Sequence, residues 1–214
     1  MDFISAMNLA EKYKIAVPRW EMVKGGEQAR GKEAALKAAR KLGYPVALKL
    51  ISKKFLHKSD KGVLKLNLNN DDELAKAHVE LLRNAKGASA DGLLVQKMAK
   101  PGVELLVGGK TDPQFGPTIV FGLGGIFVEV FRDVSVRVCP ITRDDAFDMI
   151  HELRGYPLLA GARGRKPVDE KSLIELLLNV SQLLCDHEGK INEFDLNPVI
   201  AYEKGCLAVD VRIL

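Results

Sequence analysis

Cysteine is scarce in this chain. Cys139, Cys185 and Cys206 are the only three, odd in number and far apart. A disulfide framework or a zinc site needs closely spaced pairs, so both are excluded, and the three read as buried thiols of a reducing compartment. No apolar run approaches the ~20 residues of a membrane span. Met1-Asp2-Phe3 lacks the basic stretch and cleavage pattern of a secretory leader. A cytoplasmic protein without a membrane partner is expected. Aromatic residues reach only 6%, and 32 basic residues are interspersed with 28 acidic ones for a net charge of +4. Without a Lys/Arg cluster, nucleic acid is not an expected partner. The small positive surplus suits an anionic small molecule.

What is present is ample apolar material: 47% of 214 residues, enough for one large domain or two small ones. Apolar spacing predicts an amphipathic helix over 2–14 and an Ala/Lys-rich helix from about Glu27 to Leu42, stopped by Gly43. Gly26-x-x-x-x-Gly31-Lys32 approaches a phosphate-binding loop. The next residue is Glu33, where the motif needs a hydroxyl, so a loop entering a helix is the better reading. Tyr44–Ile51 reads as a strand, Val63–Leu68 as an alternating one, and Asp71–Ala85 as a helix capped by Asn70. Leu93–Gln96 is a buried strand. The break Lys97-Met98-Ala99-Lys100-Pro101-Gly102 marks a boundary between subdomains, 1–98 with the leading helix and 99–214. Further strands run from Val103 to Gly108, Pro117 to Phe121 and Val134 to Val138. Helices follow from Thr142 and from Asp169, the second reaching about His187.

Three places carry chemistry. Lys49 stands inside the apolar Tyr44–Ile51 run, where an ammonium needs a partner, and a phosphate would serve. The strand ending at Phe121 runs into Gly122-Leu123-Gly124-Gly125, whose backbone N–H groups suit an anion; the dinucleotide pattern fails because its third glycine would fall at Phe127. Glu193, Asp195 and Asn197 alternate with Phe194 and Leu196, which puts three oxygen-bearing side chains on one strand face. Leu207–Val211 reads as a second strand after a Lys204-Gly205 turn, bringing Asp210 beside Asn197. Carboxylates and an amide oxygen suit a hard cation such as Mg2+. The same alternation belongs to any half-exposed hairpin, and both readings stand at this point.

The order of these parts is familiar: Lys49, His57-Lys58-Ser59-Asp60, Val95-Gln96-Lys97-Met98, Asp112-Pro113-Gln114-Phe115-Gly116, Phe121-Gly122-Leu123-Gly124-Gly125, Gly161-Ala162-Arg163-Gly164, then Asp195-Leu196-Asn197-Pro198 with Asp210. Over nearly its whole length the chain resembles the separate beta subunit of ADP-forming acetyl-CoA (acyl-CoA) synthetase, an ATP-grasp protein. The resemblance implies an α/β (α+β) ATP-grasp fold whose two subdomains clasp the nucleotide. It implies ATP phosphates at Lys49, adenine read by the backbone of Gln96, Lys97, Met98 and Ala99, and a polar nucleotide contact at Glu104. Gly122, Gly124 and Gly125 would line the phosphate path. Mg2+ would sit at Asn197 and Asp210, with Asp195 where related enzymes carry Glu. The implied reaction is acyl-CoA + ADP + Pi ⇌ carboxylic acid + CoA + ATP. A separate alpha subunit, in an alpha2beta2 assembly, would bind CoA, choose the acyl group and carry a phosphohistidine. His57 is the expected catalytic residue, either phosphorylated itself or stabilising the group in transfer. Arg137 or Arg163 would add a further cation. His78, His151 and His187 fall in helical patterns and read as structural.

Two other functions fit parts of the pattern. A stand-alone ATP-grasp ligase would activate a carboxylate and turn over alone, but the chain has no obvious extra substrate domain. A nucleotide-sensing subunit would bind ATP without chemistry and would have no use for Mg2+ ligands together with a loop histidine.

Overall fold

A computed structural model describes residues 1–24, 30–51, 62–85, 91–125 and 132–214. His57 and its neighbours Lys58, Ser59 and Asp60 lie outside these residues, as do Gly26 and Phe127. The chain divides into two compact units, Pro18–Met98 and Met1–Val17 with Ala99–Leu214.

The smaller unit is built on strands β1 (Trp20–Lys24), β2 (Val46–Ile51), β3 (Leu64–Leu68) and β4 (Gly92–Lys97), with helices α2 (Arg30–Leu42) and α3 (Asp71–Asn84). Among the described residues its sheet is antiparallel, in the order β1-β4-β2-β3. Alternation divides β2 between two faces. Val46, Leu48 and Leu50 join Ala35, Ala39, Leu74, Leu81 and Val95 in one core under the helices. Ala47, Lys49 and Ile51 point the other way. The alanine stripe of α2 lets that helix lie close to β4 and β1. Gly43 ends it with φ +79, its N–H donating to Ala39 O at 2.8 Å. Asn70 caps α3 by accepting from the Glu73 N–H at 2.9 Å.

The larger unit carries β5 (Val103–Asp112), β6 (Gly116–Leu123), β7 (Val134–Val138), β8 (Glu193–Ala201), β9 (Cys206–Ala208) and β10 (Val211–Ile213). Its sheet runs β10-β8-β5-β6-β7, with β9 also on β8. Helices α4 (Arg143–His151) and α6 (Glu170–Asp186) cover one face, where Leu105, Val107, Ile119, Phe121, Phe194 and Leu196 are buried. A capping box, Thr142 with Asp145, starts α4, and Asp169 caps α6. The short helix α5 (Tyr156–Leu159) lies between them. It is pinned by Asp133, whose carboxylate accepts from the N–H groups of Arg154 (2.9 Å) and Gly155 (2.8 Å).

The leading helix α1 (Phe3–Lys12) does not belong to the N-terminal subdomain, as expected from chain order, but to the larger unit. The reason is its set of tethers. Its amino group donates to Ile213 O at 3.0 Å, Tyr13 Oη donates to Asp186 at 2.7 Å, and Ala16 O accepts from Ala208 N–H at 2.8 Å. Met7 and Ala10, on its inner face, are buried. The three cysteines are free, Cys139 buried and the other two half-buried. His78 is buried on α3, His151 Nε2 lies 2.9 Å from Glu170, and His187 Nδ1 lies 3.0 Å from Leu183 O. No helix among the described residues is long and apolar enough to cross a membrane.

Candidate functional site

The residues of each unit are taken separately. In the smaller unit Lys49 lies mid-strand, opposite Leu94 on β4 and Leu64 on β3, on the face turned away from α2 and α3. It is only 7% exposed. Gln96 is equally buried and stands opposite Ala47, one step along the same face. An ammonium at this depth calls for polar or anionic company, because charge is costly to bury.

The segment after β4 is more constrained than the sequence indicates. The Lys97 N–H donates to Arg19 O at 2.8 Å and the Met98 N–H to Pro45 O at 3.1 Å. Lys97 Nζ donates to Gly43 O and Tyr44 O, both at 2.7 Å, tying the segment to the end of α2.

In the larger unit, β8 and its hairpin partners keep one register: Leu196 faces Val211 and Val199 faces Ala208. Asn197 is therefore opposite Asp210, and the Asn197 N–H donates to Asp210 O at 3.3 Å. The second strand is divided, β9 and β10 flanking Val209-Asp210, but the predicted juxtaposition is present. On its other side β8 has a bulge, Asn197 and Pro198 together opposing Leu106. Proline has no N–H for the ladder, which accounts for a bulge at this point. Phe194 and Leu196 are buried toward the helices; Asp195, Asn197, Asp210 and Arg212 occupy the opposite face. Arg212, absent from the sequence-based set, faces Asp195 in register, and its Nε donates to Asp210 Oδ2 at 3.0 Å. Its position two residues after Asp210 was the available signal.

Asp210 is 9% exposed and Asn197 is exposed. Burial pushes the Asp195 carboxyl up to about 6; Arg212 opposes the rise, and the charges of Asp210 and Glu193 add to it. Among the described residues, no three His, Cys, Asp or Glu side chains form a metal-binding group by themselves. The donor set here is two carboxylates and an amide, which suits a hard ion that completes its shell with water and phosphate. Gly108 of β5 is in register with Asp195, and a Cβ there would meet nothing nearer than Phe194 O at 3.5 Å.

Asp195 supplies a test by pH. Its folded-state pKa is raised from 3.8 to about 6, so the metal-free fold binds this proton more tightly than the unfolded chain does. That contribution to stability is complete below about 4 and is lost as pH rises through about 6. Asp195→Asn is therefore expected to stabilise the metal-free protein by about 1–2 kcal/mol at pH 7 and by almost nothing at pH 4. Denaturant unfolding at the two pH values measures it.

The glycine turn after β6 has packing reasons of its own. A Cβ on Gly122 would lie 2.8 Å from Asp133 O and from Val134 Cγ1. One on Gly124 would lie 3.0–3.1 Å from Glu104, whose carbonyl accepts the Gly124 N–H at 2.7 Å. Gly125 has φ +62, and the exposed Glu104 carboxylate is beside it. Glu104, Gly124 and Gly125 thus form one corner, while Gly122 is explained by the strand packing alone. Arg137 is not available as a further cation: its guanidinium grips Glu152 through two bonds of 2.9 Å on the helix-covered side.

One α+β unit thus carries a buried lysine on the sheet face turned away from its helices, and the other carries an acidic hairpin. The chain belongs to the ATP-grasp domain family, whose model matches residues 1–214. It is 42% identical over 98% of its length to the acetate–CoA ligase (ADP-forming) I subunit beta of Pyrococcus furiosus, covering 89% of that protein. Among solved structures it resembles the dinucleotide-forming acetyl-coenzyme A synthetase 1 of Ca. Korarchaeum cryptofilum in complex with coenzyme A, Ca-AMPCP and HgCl+. The TM-score is 0.93 at 43% identity, covering all of this chain and 92% of that one. A second structure of that enzyme holds coenzyme A and Mg-AMPPCP, with a phosphohistidine segment pointing towards the nucleotide-binding site. Its TM-score is 0.85 at 42% identity, covering all of this chain and 91% of that one.

Proposed function

We infer that the chain is the nucleotide-binding beta subunit of an ADP-forming acyl-CoA synthetase, passing a phosphoryl group between a phosphohistidine and ADP or ATP. The observation that carries this reading is the pairing of Asp210 with Asn197, beside Asp195, on one face of a hairpin. It is supported by the near full-length likeness to a beta subunit of this ligase.

Phosphoryl transfer asks a protein mainly for positioning and charge neutralisation. Lys49 supplies a fixed positive charge for phosphate oxygens. Mg2+, held by Asn197, Asp210 and Asp195, would supply the second centre of positive charge and orient the phosphates. The backbone at Gly124 and Gly125 lines the phosphate path, the Gly124 N–H being taken by Glu104 O, with the Glu104 carboxylate as a polar contact to the nucleotide. Because the Lys97 and Met98 N–H groups are already engaged, adenine is read by the carbonyl of Lys97 and the N–H of Ala99, with Gln96 below. His57 receives or stabilises the phosphoryl group. CoA binding, acyl choice and the mobile phosphohistidine belong to an alpha subunit, in an alpha2beta2 assembly within the cytoplasm.

The test is reconstitution. With its alpha partner, the chain should form ATP from acyl-CoA, ADP and phosphate; alone it should form none. ATP formation by the chain alone would favour a stand-alone ligase.

A further inference from the structure

Arg212 has no part in that scheme, although it stands in the middle of the site. It lies on β10 opposite Asp195 and two residues beyond Asp210, so all three share a face. Its Nε–H engages Asp210 Oδ2 at 3.0 Å, and its side chain is 39% exposed. The Nη groups form the outer end of the side chain. One guanidinium therefore serves two carboxylates, Asp210 by a direct bond and Asp195 across the hairpin. Glu193, further along the same face of β8, is exposed and paired in register with Lys110. Gly108 leaves the flank of Asp195 open.

We propose that Arg212 makes the site selective for a divalent cation that arrives with phosphate attached, and against the free cation. This rests on Asp195, Asn197 and Asp210 being the metal ligands. Two carboxylates without a counter-charge would attract any free divalent ion. With the guanidinium among them, the approaching ion meets a fixed like charge a few ångströms away and a ligand oxygen already hydrogen-bonded. A metal–nucleotide complex meets a different surface. Its phosphate oxygens accept the planar, forked donors of arginine, which match phosphate geometry. Arg212 then exchanges one acceptor for another, from Asp210 Oδ2 to a phosphate oxygen, and that carboxylate oxygen is released to the metal. The positive charge that opposes the bare ion thus favours the loaded one.

The experiment uses Mn2+ as the probe, read by electron paramagnetic resonance, with the full chain as wild type, Arg212→Met, Arg212→Lys and Asp210→Ala. Free Mn2+ should bind Arg212→Met roughly tenfold more tightly than wild type, while Mn2+ with ADP binds roughly tenfold more weakly. Arg212→Lys, which keeps the charge but not the fork, should retain the weak binding of free Mn2+ and recover only part of the nucleotide binding. Opposed shifts of this kind are not produced by a merely structural ion pair. If both affinities fall together, or neither changes, in a folded Arg212→Met protein, the selectivity role is overturned. If Asp210→Ala leaves Mn2+ binding intact, the ligand assignment itself fails, an outcome distinct from the failure of Arg212 alone.

Discussion

Lys49→Met should lower phosphoryl transfer between nucleotide and phosphohistidine by two to three orders of magnitude, with the fold retained. The retained fold follows from position. Lys49 is 7% exposed, beside Ala47 and Ile51 on its own strand and opposite Leu94. Methionine has similar length and no charge, so replacement there removes a buried ammonium without leaving a cavity. The lost activity follows from electrostatics. A fixed charge aimed at developing negative charge in a water-poor site contributes on the order of 10²–10³ in rate. Lys49→Arg should not restore it, because the larger planar head does not fit a strand position packed on both sides. Exchange of labelled phosphate between ATP and ADP in the assembled enzyme measures both variants. Normal exchange in Lys49→Met would return Lys49 to the status of a buried structural lysine.

Asp210→Ala should make nucleotide binding insensitive to Mg2+, with a loss of about a hundredfold in affinity for the magnesium complex. Asp210 is almost wholly covered, faces Asn197, and accepts from Arg212 Nε at 3.0 Å. Its backbone bond to Asn197 survives the substitution, so the hairpin remains. The loss of the Arg212 pair costs about 1 kcal/mol at most, since the guanidinium keeps access to water. Titration calorimetry of ADP with and without Mg2+ should show a clear difference for wild type and none for the variant. An unchanged Mg2+ effect would mean that the acidic hairpin is only a solvated face.

Much of this site was legible because strand alternation reports a face directly. Glu193, Asp195 and Asn197 were placed by counting in twos, and the Lys204-Gly205 turn brought Asp210 to Asn197. What escaped depended on contacts between distant segments. The leading helix looked like part of the segment that follows it, yet its tethers run to Ile213, Asp186 and Ala208. Arg137 looked available for phosphate until Glu152, a residue of the turn after α4, was seen to hold it. Gly122 looked like part of an anion-binding turn, whereas the approach of Asp133 and Val134 accounts for it. The hinge appeared to offer all its backbone, but Arg19 and Pro45 take two of its N–H groups. A basic residue does not look like part of a metal site, so the sequence alone does not assign Arg212 to one. Only the register to Asp195 and the bond to Asp210 place it there.

The most direct test of the central claim is a phosphoryl-labelling experiment with γ-labelled ATP and Mg2+. The chain and its alpha partner are incubated together and apart. The account predicts acid-labile label on histidine, on the alpha subunit and on His57 if that residue receives the group, when both are present, and return of that label to ATP when ADP is added. Absence of label from the assembled pair, or thioester turnover by this chain alone, would contradict it.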